Sequence, residues 1–148
     1  MSEQATTNEA AIAAVEQKNA AVATEKPRDL NALKIEKSCS RGFGPWLSKN
    51  NLTVAITSYQ SGRLYLVGSE PGGRVSFYER IFERAMGVVG NHQRLYLGSL
   101  FQLWRFENVL RKGELANKMH DRCYVPRNAQ TIGDVDIHEL GIRKNGKV

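Results

Sequence analysis

Near the C-terminal end of this 148-residue chain, one short run carries most of the side chains able to do chemistry: Asp134-Val135-Asp136-Ile137-His138-Glu139. Extended backbone sends alternate side chains to opposite faces. An extended reading therefore puts Asp134, Asp136 and His138 on one face and Val135, Ile137 and Glu139 on the other. Two carboxylates and an imidazole form a donor set suited to a divalent metal ion, and through it to the Lewis-acid chemistry of a hydrolase or lyase. Same-face neighbours on a strand stand about 6.5–7 Å apart, so one ion bridges them only where the strand bends or another strand adds a ligand. The same residues also have a purely structural use. Asp134 can cap the turn after Gly133, Asp136 can accept from backbone N–H groups, and His138 can link neighbouring sheets. Arg127, next to Pro126, adds a cation able to face an anionic ligand.

The rest of the chain offers less chemistry. His92 falls in an expected turn and His120 in a polar connection, both solvated positions. Cys39 and Cys123 are too far apart in sequence to form a CxxC metal or redox site. No Gly-rich phosphate loop, nucleophile elbow or HExxH run is present. Trp104 and Tyr96 fall in expected strands, where aromatic packing accounts for them.

The elements that must position these residues read as short strands. Leu52 to Gln60 is rich in β-branched residues, and Ser61-Gly62 turns it into Arg63 to Gly68. Glu70-Pro71-Gly72-Gly73 is a strong turn signal, and Val75 to Ile81 follows as an outer strand. Then come Ala85 to Val89, a turn at Gly90-Asn91-His92-Gln93, a return over Arg94 to Gly98, and a third strand at Leu103 to Phe106. Arg63-Leu64-Tyr65-Leu66 is repeated as Arg94-Leu95-Tyr96-Leu97, 31 residues later. Leu140-Gly141-Ile142 with Lys147-Val148 echoes Gly87-Val88-Val89 with Arg94-Leu95, which predicts a last hairpin with Asn145-Gly146 at its tip. Cys39 to Asn51 predicts a short helix, with Pro45 in its first turn, a left-handed cap at Asn50-Asn51, and Phe43, Trp46 and Leu47 on one side as a plug over a sheet. The stretch from Val109 to Arg122 is polar and helical or irregular. After it, Tyr124 to Arg127 is extended, with Pro126 confining it to an edge.

The aromatic residues all lie between Phe43 and Tyr124, so the N-terminal 37 residues read as a flexible or weakly helical tail outside the core. Asn8 caps a possible helix to about Thr24, whose apolar side is mostly alanine with Ile12, Val15 and Val22. The net charge is +6 and the isoelectric point near 9.5. The basic residues are nevertheless interspersed with acids and form no long run, which argues against a nucleic-acid partner. No apolar segment approaches the roughly 18 residues of a membrane span, and no secretory signal is visible, so the cytoplasm is the expected location and the thiols are expected reduced.

Consecutive small antiparallel sheets at roughly 40–50 residues each are the habit of β-propellers. The expected fold is therefore all-β: residues 38–148 forming about two propeller-like blades and the start of a third, truncated in mid-sheet where the last hairpin breaks off. The ordered set CSRGFGPWL, SYQSGRLYLVG, ERAMGVVG, QLWRFENV and YVPRNAQTIGDVDIHEL, spanning Ile35 to Val148, resembles the N-terminal part of an uncharacterised bacterial family of conserved hypothetical, domain-of-unknown-function proteins. Thr131-Ile132-Gly133-Asp134 stands where that family usually reads Thr-Thr-Gly-Asp. The resemblance implies a propeller-like fold and no defined activity. On this reading the protein is a non-enzymatic module that binds a small molecule or a protein through Asp134, Asp136, His138 and Arg127. The alternative is a metal-assisted enzyme using the same acidic-histidine strand.

Overall fold

The computed structural model describes residues 29–32, 34–146 and 148. The predicted N-terminal helix, Asn8 to Thr24, lies outside them. The described residues form one short helix and seven strands: α1 (Phe43–Asn50), β1 (Val54–Ser58), β2 (Arg63–Ser69), β3 (Val75–Ile81), β4 (Val88–Gly90), β5 (Arg94–Gly98), β6 (Gln102–Asn108) and β7 (Tyr124–Thr131). They assemble as two antiparallel meanders, a three-stranded sheet β1-β2-β3 and a four-stranded sheet β4-β5-β6-β7. Among the described residues neither sheet closes into a barrel or a ring.

Each turn is built from the residues that its geometry requires. Asn91 accepts the backbone N–H groups of Gln93 and Arg94 on its side-chain oxygen, at 2.9 and 3.0 Å, and so fixes the β4–β5 reversal. Gly72 and Gly73 take φ of 86° and 77° in the β2–β3 turn, where a side chain would be strained. At the far end of α1, Asn51 adopts the left-handed conformation (φ 50°, ψ 50°), and the backbone N–H groups that follow close on Leu47 and Ser48. The expected bounds of β3 and β5 are met to the residue. Pro126 falls in β7, an edge strand, as its missing N–H requires.

Pairing sets the faces. In the first sheet Ala55 and Leu64 share one face, and Tyr65 and Val67 the other. The first face packs on the second sheet: Leu64 joins Leu95 and Leu97 of β5, Phe106 of β6 and Ala85 of the β3–β4 link in a buried core, with Ala55, Phe82, Val88, Trp104 and Tyr124 around it. The opposite face of the first sheet is covered by α1, whose Leu47 is fully buried against Tyr65 and Val67. Burying a side chain of that size stabilises by about 1.5–3 kcal/mol. Residues 34–40, without regular structure, run beside this face, where Lys37 pairs with Glu79 at 2.6 Å. The buried Arg63 donates from its guanidinium to the Leu30 and Ser61 carbonyls at 2.7 and 3.0 Å. Leu47 and Phe43 thus plug this face of the sheet as expected, whereas Trp46 stays half exposed.

Two expectations fail here. The final hairpin does not form: residues 140–143 are outside any strand, and only a turn remains, closed by Gly146 N–H donating to the Arg143 carbonyl at 2.8 Å. Residues 132–139 are likewise not a strand. Their backbone is diverted, as described next.

Candidate functional site

The β3–β4 link, residues 82–87, and the segment after β7 meet at one end of the strands. Arg84 of the link reaches Asp134 with its Nη1 at 3.3 Å and Asp136 at 3.7 Å, and its guanidinium stands 6.0 Å from the ring of Tyr59 at the end of β1. Three separate pieces of chain therefore converge on one cation. Arg84 and Asp136 both have positive φ, 49° and 45°, a region that residues with a Cβ enter at a cost. The turned backbone at Asp136 ends the alternation expected of an extended strand, and it brings two acids to one arginine.

Beyond Asp136 the chain stays close to the second sheet. The Gly87 N–H donates to the Ile137 carbonyl at 3.1 Å. Ile137 lies against Gly98, where an added Cβ would stand 3.1 Å from its side chain, and Leu140 lies against Gly87 in the same way. A Cβ at either glycine would crowd this approach. The segment that leaves β7, the last strand of the sheet, thereby returns to β4, the first.

Beside this corner is an open cleft of about 500 Å³ between the end of β3 and the β5–β6 turn, with Phe82, Phe101 and Trp104 among its walls and Glu83, Ser99 and Gln102 as its polar edge. Phe82 meets Trp104 and Phe106 edge-on, at centroid distances of 5.4 and 5.6 Å. The indole N–H of Trp104 donates to the Ser99 hydroxyl at 3.1 Å, and that hydroxyl donates to the Gln102 carbonyl, also at 3.1 Å. The Trp104 ring is thus fixed both by the Ser99 hydroxyl and by Phe82, which suits a preformed apolar wall. Glu83 and Thr131 in the lining are chain neighbours of Arg84 and of the acidic segment, so cleft and corner adjoin.

The residues singled out from sequence separate in space. Asp134 and Asp136 come together, held by Arg84. His138 is exposed and has no ion pair or hydrogen bond among the described residues. Arg127 is exposed on β7, at a bulge where Phe106 pairs with Pro126 and Arg105 with Asn128. Its side chain has no ion pair among the described residues. The predicted metal set also fails to gather: no group of three or more His, Cys, Asp or Glu residues able to hold a metal ion occurs among the described residues. The physical reason is the loss of the extended backbone that would have aligned His138, together with Arg84, which pairs with both carboxylates and offsets one of their two charges. Sequence reasoning missed Arg84, Tyr59 and Phe101. Nothing local marks Arg84, because its role depends on chain about fifty residues away.

Fold and site together define a mostly β protein of two stacked antiparallel meanders with one short covering helix, and with an ion-paired corner and an aromatic cleft at one end of the strands. Residues 41–148 match the DUF4915 family, a domain of unknown function, and the chain belongs to that family. No curated protein and no solved structure matches it. None of the described helices is long and apolar enough to cross a membrane.

Proposed function

We propose that the chain is a non-enzymatic binding module built from propeller-type blades, and that its ligand seats at the strand ends formed by the Arg84–Asp134–Asp136 corner and the adjoining aromatic cleft. The observation that carries this reading is the return of the C-terminal segment from β7 to β4, with Ile137 on Gly98 and Leu140 on Gly87. A chain passing from one blade to the next makes that step from outer to inner strand, and the strand ends near the inner strands are where such folds take ligands. The two meanders stacked through one core fit the same reading.

The ligand is a small molecule with a ring or other apolar body for Phe82, Phe101 and Trp104 and a polar group for the charged corner. Titration of the isotopically labelled chain with a set of small aromatic fragments, read in amide spectra, tests this. Binding should move the resonances of Gly87, Ser99, Leu100, Phe101 and Ile137, and Phe101→Ala together with Asp134→Asn should abolish those shifts. Fragments that move only resonances elsewhere, or that are chemically turned over, would refute the reading.

A further inference from the structure

At the opposite end of the strands from this corner, the β4–β5 turn and the long β6–β7 connection enclose an open cavity of about 530 Å³. Its walls bring together Arg111, Lys112, Arg122 and His92 over an apolar floor of Leu110 and Leu115. Two acids also line it, and each already has a partner. The Glu114 carboxylate accepts the backbone N–H of Arg111 at 2.8 Å, and Asp121 pairs with Arg122 at 3.1 Å. The side chains of Arg111 and Lys112 have no ion pair among the described residues, and with three cations (Arg111, Lys112, Arg122) against two carboxylates (Glu114, Asp121) the lining keeps one net positive charge.

The frame of the cavity is fixed. The Asn108 side chain accepts the N–H groups of Leu110 and Cys123 at 3.3 and 2.9 Å and donates to the Leu110 carbonyl at 3.3 Å, tying the start of the connection to its end. The Tyr124 hydroxyl donates to the Asn91 carbonyl at 2.7 Å, and the Asn108 N–H donates to the Gln93 carbonyl at 2.8 Å, tying both to the β4–β5 turn. Preorganised walls reduce the ordering cost of binding, and a cavity of this size lies within the range of about 300–1,000 Å³ that holds small molecules.

We infer that this cavity is a second binding site, for a small organic anion. Its anionic group, a phosphate monoester or a carboxylate, is held by Arg111 and Lys112, and its apolar part lies on Leu110 and Leu115. A guanidinium and an ammonium on adjacent residues supply the charge-assisted hydrogen bonds that such a group takes. The site stands apart from the corner of the proposed module and does not depend on it.

Calorimetric titration of the full chain with phenyl phosphate tests the inference, with inorganic phosphate and benzyl alcohol as comparison probes. Phenyl phosphate should bind more tightly than either. Arg111→Ala with Lys112→Ala should weaken it roughly tenfold or more, while Lys49→Ala, which removes an exposed cation on α1, leaves it unchanged. Both substituted residues are exposed, so the double variant should keep the parent's melting temperature. Silence with phenyl phosphate overturns the site, as does equal binding by parent and double variant. Binding of inorganic phosphate as tight as that of phenyl phosphate overturns the organic part of the assignment.

Discussion

Arg84 and Asp136 hold left-handed backbone conformations that each cost about 1 kcal/mol or more, and they form an ion pair with each other. Because both side chains are partly exposed, their attraction by itself offsets only part of that cost. The remainder is supplied by the buried contacts on either side, Ala85 in the core and Ile137 on Gly98. Tyr124 is the residue whose chemistry gives the clearest solution readout. Burial pushes its phenol above the ordinary value of 10.0; nearby Arg122 pulls it down and Asp121 pushes it up. The neutral phenol is also the form that donates to the Asn91 carbonyl. Since the folded state holds the proton more tightly than the unfolded chain, this contribution is fully present below about pH 10 and is lost as pH rises through the higher folded value. Tyr124→Phe should therefore be less stable than the parent by about 1 kcal/mol near neutrality, and the gap should close as the pH rises beyond about 10. Urea unfolding of both proteins across that range measures it. A gap that stays constant would remove Tyr124 as its source.

At the scale of elements, α1 is held by a contact that helix propensity does not foresee. Gly44 lies within the helix and is buried, and a Cβ built there would stand 2.0 Å from the Gly73 carbonyl oxygen of the β2–β3 turn. On propensity alone, Gly44→Ala in a helix stabilises by about 1 kcal/mol. Here it must instead push α1 off the turn, lifting Leu47 from Tyr65 and Val67, so the expected sign is destabilising, by about 1–3 kcal/mol. Thermal unfolding of the variant decides between the two signs. Gly44 also shows what the sequence could and could not reveal. Strands were legible wherever β-branched or aromatic runs met a Gly, Asn or Pro turn, as at β3, β5 and the β4–β5 reversal, because those signals are local. The helix was legible from Pro45 and its Asn51 cap, but the turn it leans on was not. At the C-terminal end the alternating pattern Asp134 to Glu139 has the period of a strand and is not one. A distant arginine and two glycines that admit Ile137 and Leu140 outweigh a periodicity that has no partner strand to satisfy it. The candidate site was half visible for the same reason. Its acids are a sequence motif, whereas Arg84, Tyr59 and the cleft are products of tertiary packing.

Over the whole molecule, the two sheets share a core, so they should unfold as one. Leu64 of the first sheet is buried among Leu95, Leu97 and Phe106 of the second, and the Thr57 hydroxyl of β1 donates to the Met86 carbonyl ahead of β4. Separating the sheets would expose every member of that cluster to water. The chain carries two tryptophans placed to test this. Trp46 lies on α1, stacked on Phe43 at 6.2 Å, and reports the outer side of the first sheet; Trp104 lies on β6 against Phe82 and reports the second. In Trp104→Phe only the first sheet is visible by fluorescence, and in Trp46→Phe only the second. In each variant, the urea midpoint from the remaining tryptophan should coincide with that from far-ultraviolet circular dichroism, which averages over both sheets, as cooperative unfolding requires. Each should also give a denaturant dependence of about 1–3 kcal/mol per molar urea, the size expected when a whole domain of this length opens. If Trp46 changed at lower urea than the circular dichroism signal, the first sheet would be an independent layer, and the shared core would not couple the two meanders.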